Sequence, residues 1–162
     1  MEYIKKMNFL QNLSDDELIN FYPKFLKELK KREIIRTNNL VAEFAERLVI
    51  LNYAKKPELP NLTLTKQGTK NHDAISKDGI KYEIKGTSGG STSKFESCPV
   101  EDDGIKHFDH LVIVIFNKDY ELKNIYEFTW DQFLKIRSLK TTEQKWHVAL
   151  TEEKKKLGIK IV

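Results

Sequence analysis

Asp73, Glu83 and Lys85 are the residues whose types and spacing could do chemistry together. They sit in two strand-like stretches, Asp73-Ala74-Ile75-Ser76 and Ile80-Lys81-Tyr82-Glu83-Ile84-Lys85, on either side of the turn Lys77-Asp78-Gly79. Two carboxylates can hold one divalent metal, and a lysine can steer a water and offset charge building on a phosphate. Hydrolysis of a phosphodiester uses both functions. Whether the three groups meet depends on register. If Gly79 takes the left-handed position of a three-residue loop, Ser76 pairs with Ile80 and Asp73 comes opposite Glu83. Side chains alternate along a strand, so Glu83 and Lys85 share one face while Tyr82 and Ile84 take the other. A two-residue Asp78-Gly79 turn would shift the register by one and turn Asp73 to the wrong face. A working site therefore predicts the three-residue loop.

The elements that must carry this hairpin are legible on both sides of it. Ser14-Asp15-Asp16-Glu17 is a capping box opening a helix after a lead-in over residues 1–13. Pro23 is expected to break or restart that helix, with a second stretch from Lys24 to Ile35. Its basic residues Lys27, Lys30, Lys31 and Arg32 read as a solvated face rather than a DNA contact. Asn38 or Asn39 can cap a helix running to about Tyr53, whose apolar positions follow helical spacing and whose Glu43 and Glu46 share a flank. Lys55-Lys56-Pro57-Glu58-Leu59-Pro60 is a connector, and Gly86 to Ser93 is a polar loop. Downstream come a buried strand over 111–116, a second strand around 123–128 and a helix from the capping box Thr129-Trp130-Asp131-Gln132 to about Leu139. Residues 146–150 alternate like an edge strand, and Thr151–Leu157 is a short charged helix ending at Gly158. The order reads as an α/β fold with a mixed central sheet flanked by helices, one domain over 1–162 whose residues 1–36 are a helical N-terminal extension.

The run Gly68-Thr69-Lys70-Asn71-His72-Asp73-Ala74-Ile75, then Asp78-Gly79 and Tyr82-Glu83-Ile84-Lys85-Gly86, resembles the active-site hairpin of the PD-(D/E)XK nuclease superfamily. More narrowly, it is similar to small prokaryotic restriction-endonuclease-like proteins. In these an Asn-x-x-Gly-Glu-x-Ala-Glu helix precedes the hairpin, and here that helix reads Asn39-Leu40-Val41-Ala42-Glu43-Phe44-Ala45-Glu46. The likeness covers residues 38–86 and continues loosely through Phe108-Asp109-His110-Leu111. Ala42 stands for the usual glycine, His72 precedes the Asp where proline or an aromatic is more typical, and the first 36 residues match no named pattern.

The resemblance implies a restriction-endonuclease-like sandwich and a Mg²⁺-dependent endonuclease acting on double-stranded DNA, of the type II restriction kind and working as a homodimer. It implies that Asp73, Glu83 and the Ile84 backbone carbonyl ligate Mg²⁺. Lys85 would orient or deprotonate the attacking water, and Glu43 would complete the metal shell or bind a second ion or water, with Glu46 the weaker candidate for that place. Lys70, Gly86, Thr87, Ser88 and Lys94 would lie near the DNA backbone. A structure-specific or repair nuclease could share this hairpin, and so could a non-catalytic DNA-binding subunit with a vestigial acidic cluster.

Composition sets outer bounds on that expectation. At 162 residues the chain can bury one core without staples, and 32% charged against 40% hydrophobic residues is ordinary for a globular protein. No apolar run approaches a membrane span, and the N-terminus lacks a signal-peptide pattern. A single cysteine, Cys98, permits no intrachain disulfide and suits the cytoplasm; it reads as a bystander. The net charge of +4 is compatible with a polyanionic partner without demanding one. His72 can be a ligand or phosphate contact, or an ordinary half-exposed histidine. His107 and His110 lack further soft ligands and read as structural, and Trp130 and Trp146 read as core or interface anchors.

Overall fold

The computed structural model describes residues 9–162, which divide into two compact units with the boundary between Asn38 and Asn39. The first unit holds helix α1, Asp15–Lys31. Its Ser14 cap is reciprocal: the Ser14 hydroxyl accepts from the Glu17 amide and the Glu17 carboxylate accepts from the Ser14 amide. The expected break at Pro23 does not occur, and the helix runs straight through it. Proline removes one rung of the ladder at a cost of about 3 kcal/mol, and the reciprocal cap at one end and the strong helix formers after Pro23 keep the remaining rungs. The helix ends sooner than expected, at Lys31, because Glu33 turns left-handed at φ 55°. The Glu33 and Ile34 amides then donate back to the Lys30 and Leu29 carbonyls. This is a Schellman closure with glutamate in the place glycine usually takes, so no glycine marked it in the sequence.

The second unit is a six-stranded mixed sheet with helices, the α/β architecture expected. Its strands are β1 (Leu62–Leu64), β2 (Ala74–Ser76), β3 (Lys81–Thr87), β4 (His110–Phe116), β5 (Leu122–Thr129) and β8 (Ile159–Lys160), in that spatial order. Only β3 and β4 run parallel. A separate hairpin pairs β6 (Ser138–Lys140) with β7 (Lys145–His147). Three further helices belong to this unit: α2 (Leu40–Ala54), α3 (Trp130–Ile136) and α4 (Glu152–Lys155). Asn39 caps α2, its side chain accepting from the Ala42 amide at 3.3 Å, and Thr129 and Gln132 form the expected capping box of α3. That helix stops at Ile136, short of Leu139, because Arg137 turns extended at ψ 150° and leads into β6.

Alternation along the strands separates two cores. One face sets Tyr82 and Ile84 of β3 with Val112 and Val114 of β4 beneath Ala45, Val49 and Tyr53 of α2. The other sets Leu111 and Ile113 of β4 and Phe128 of β5 against Phe95, Phe108, Phe133 and Ile136. Strand β4 is buried on both faces, as its uninterrupted apolar run requires. Trp130 and Trp146 pack on the second core, so they serve as anchors. No described helix is long and apolar enough to cross a membrane.

The first core encloses one polar network. The buried Tyr53 hydroxyl donates to Glu127 Oε2, and His110 Nδ1 lies 2.7 Å from Glu127 Oε1 while its ring stacks on Tyr82. Burial alone would raise the Glu127 pKa, but the bonds from His110 and Tyr53 outweigh it and hold the carboxyl below the ordinary 4.5. A pKa depressed on folding gives stability that is full above 4.5 and fades as pH falls through the folded value. Tyr53→Phe is therefore expected to cost about 1.5–3 kcal/mol at neutral pH. Its difference from wild type should shrink below pH 4.5 in denaturant titrations, and a pH-independent difference would contradict the network.

Candidate active site

The hairpin adopts the three-residue loop. Ser76 N–H donates to Ile80 C=O at 3.0 Å, Gly79 N–H returns to Ser76 C=O at 3.0 Å, and Gly79 has φ 82°, a conformation that favours glycine. The register Ala74 to Tyr82 and Ile75 to Lys81 carries Asp73 to the level of Glu83. At that point the ladder opens. Asp73 N–H donates to the Tyr82 carbonyl at 2.8 Å, and the Ile84 N–H donates to Asp73 Oδ2 at 2.7 Å instead of to a backbone carbonyl. The Asp73 carbonyl is held in turn by the amide and hydroxyl of Thr65, next to β1. Three amide hydrogen bonds, with the Thr65 hydroxyl shared between the His72 and Asp73 carbonyls, thus fix Asp73 where its carboxylate faces the gap between strands.

Glu83 and Lys85 extend from β3 on the face opposite Tyr82 and Ile84. Lys85 Nζ lies 2.7 Å from Glu83 Oε1 and 5.1 Å from the centre of the buried Phe95 ring. Both charged side chains are largely enclosed, 17% exposed for Lys85 and 13% for Glu83. Burial pushes the Lys85 ammonium toward its neutral form, but the Glu83 and Asp73 carboxylates together reverse this and leave its pKa raised. In the protein alone Lys85 is therefore a fixed cation. Cys98 lies behind the pair, and burial pushes its thiol up to about 11, which keeps it inert.

A cleft of about 460 Å³ opens beside this hairpin, lined by Asp73, Ile84, Lys85, the segment after β3 and the first turns of α2. The order of the two helix glutamates is the reverse of the expectation. Glu46 lines the cleft with Asp73 and Lys85, whereas Glu43 is buried at 5% exposure and is not among the lining residues. On a helix the two lie three positions apart, close enough that pattern alone did not separate them.

The other expected residues fall into two groups. Gly86, Thr87 and Ser88 line the cleft, while Glu83, Lys70, His72 and Lys94 do not. Thr87 is buried, and its hydroxyl donates to the Ser91 carbonyl, so it shapes the loop. His72 contributes its carbonyl to Thr65 and reads as structural. Among the other histidines, His107 pairs with Asp103 at 2.9 Å and His110 with Glu127, as structural residues do.

Gly86 has a packing reason. A Cβ there would lie 2.6 Å from the Val41 carbonyl oxygen and 2.9 Å from Ala45 Cβ, both on α2. Only a bare backbone lets the helix approach β3 this closely beside the cleft. Gly86→Ala is expected to force the helix outward at a cost of about 1–3 kcal/mol, visible in a thermal melt; an unchanged melting temperature would show that α2 yields freely.

The donor chemistry suits Mg²⁺. Asp73, Glu83 and the Ile84 carbonyl are hard oxygens, and this ion is commonly held by one or two carboxylates while keeping several waters. No group of three or more His, Cys, Asp or Glu side chains arranged for a metal occurs among the described residues, so a site here would be such a sparse one. A scan against protein-family models finds no match for the chain, and a search of curated proteins finds none either.

Proposed function

We propose that this protein is a Mg²⁺-dependent endonuclease that hydrolyses phosphodiester bonds in double-stranded DNA, of the sequence-specific type II restriction kind. The observation that carries the reading is the pinned Asp73. Its carboxylate is fixed by the Ile84 amide on the rim of a cleft it shares with Lys85, whose ammonium is fixed in turn by Glu83. An aspartate, a carbonyl and one enclosed cation on an open cleft, with Glu83 paired to that cation, suit metal-assisted attack of water on a phosphate.

Asp73, Glu83 and the Ile84 carbonyl would hold the ion, which when bound neutralises phosphate charge and makes water more acidic. Lys85, a cation already set in place, orients the attacking water and offsets charge that builds on the phosphorane. Glu46 is the helix carboxylate on the cleft wall and would meet a water or a second ion there. One such site cuts one strand, so duplex cleavage calls for two copies related by a two-fold axis matching that of the target.

The test is to incubate the purified protein and Mg²⁺ with unmethylated phage-length DNA and to separate the products on a gel. Discrete bands support the full reading, and a smear supports a nuclease without sequence choice. Intact DNA across a panel of substrates, methylated DNA included, would overturn it.

A further inference from the structure

The segment following β3 is not a free polar loop. Thr92 N–H donates to Val148 C=O at 2.9 Å, Val148 N–H to Thr92 Oγ1 at 3.0 Å, Phe95 N–H to Trp146 C=O at 2.9 Å and Leu150 N–H to Gly90 C=O at 2.9 Å. Residues 90–95 are thus laced to β7 and the residues after it, across 51 to 60 positions of sequence. Trp146 secures the lacing from outside: its indole N–H donates to the Pro99 carbonyl at 2.8 Å and the Arg137 guanidinium lies 4.0 Å over its ring.

Between this segment and the β6–β7 hairpin lies a second cleft of about 500 Å³, lined by Lys85, Thr92, Ser93, Lys94, Lys140 and His147 together with Ser91 and Glu96. Lys85 also lines the first cleft. The charges in the second cleft are uneven. Glu96 is matched by Lys145 at 3.1 Å, but a single carboxylate, Glu143, bridges both Lys94 and Lys140. Hydrogen bonds from the two lysines lower the pKa of Glu143. His147 Nδ1 is shielded from solvent with no hydrogen-bond partner among the described residues. Surplus donors on two elements therefore converge on a space that adjoins the candidate catalytic lysine.

We infer that the β6–β7 hairpin is a phosphate-gripping arm: Lys140 and Lys94 hold the DNA backbone to one side of the scissile phosphate, and Glu143 is the counter-ion that the phosphates displace. This rests on the nuclease reading above. A backbone phosphate suits the place because it offers several acceptor oxygens to ammonium groups that act as point charges. Glu143 neutralises one of the two lysine charges in the protein alone, and successive phosphates outweigh its single charge.

The test measures binding of a mixed-sequence synthetic duplex to the full chain in Ca²⁺ across a range of salt, together with Mg²⁺ cleavage by the wild type. Each phosphate contact adds about 0.9 to the slope of log affinity against log salt. Lys140→Ala and Lys94→Ala are each expected to flatten that slope by about this amount. Glu143→Gln removes the bridge but leaves both cations, so it is expected to tighten binding. If it weakens binding as the lysine variants do, Glu143 and its lysines are structural and the arm is wrong. If the wild type cleaves and both lysine variants keep the wild-type slope, the arm is wrong and the nuclease reading stands. If slopes fall as expected but no cleavage is found, the arm stands and the nuclease reading fails. A wild type that neither binds nor cleaves overturns both.

Discussion

Lys85→Ala is expected to lower the rate of DNA cleavage by at least about 10²–10³-fold, the usual loss when one preset group that meets developing charge is removed. Binding of the same DNA in Ca²⁺ should persist, because the metal ligands and the second cleft's other lysines remain. The substitution has a structural side effect that must be separated from the chemical one. It leaves Glu83 without the ammonium that sits 2.7 Å away, in surroundings where the two side chains are only 13% and 17% exposed. Breaking a fully buried pair costs about 3–5 kcal/mol, and partial exposure brings this one below that range. Lys85→Gln keeps the length and a donor for Glu83 while losing the charge. It should fold better than the alanine variant and cleave nearly as poorly. If Lys85→Gln cleaves at the wild-type rate, the positive charge is not what the reaction uses.

The parts of this site that could be read from the sequence are those set by local rules. Gly79 marked a left-handed loop residue without choosing between the two-residue and three-residue turns, alternation put Glu83 and Lys85 on one face, and Asn39 and Thr129 capped the helices beside them. Where the reading failed, the deciding interaction was distant or unmarked. Strands β1 and β8 are three and two residues long, too short to show a period, and exist because a neighbour supplies the pairing. Pro23 sits inside a helix whose other rungs outweigh it, and Glu33 closes that helix where a glycine would have been noticed. Glu43 and Glu46 share a flank, and only the packing of α2 against β3 over Gly86 separates the buried one from the one on the cleft. The second cleft was invisible because Lys94 and Lys140 meet through Glu143 only after the chain has folded back on itself.

Asp73 gives a sharper separation of fold from chemistry, since its carboxylate has two tasks in two different currencies. One oxygen, Oδ2, satisfies the Ile84 amide at a point where β2 has ended and no backbone carbonyl takes its place. The negative charge is what a metal would bind. Asp73→Asn retains an oxygen that can accept from Ile84 and loses the charge; Asp73→Ala loses both. Cleavage is therefore expected to vanish in each variant, while stability divides them. The alanine variant leaves a largely enclosed amide unsatisfied at about 1–3 kcal/mol, and for a chain of this size each kcal/mol lowers Tm by about 2–4 °C. The asparagine variant should melt close to wild type. Added Mg²⁺ should raise the wild-type Tm, because an ion that binds only the folded state stabilises it, and should leave the asparagine variant unmoved. Equal melting of the two variants would show that the Ile84 bond carries no stability. Cleavage by Asp73→Asn, or a Mg²⁺-induced Tm shift equal to that of wild type, would remove Asp73 from the metal site and with it the reading of this cleft as a nuclease centre.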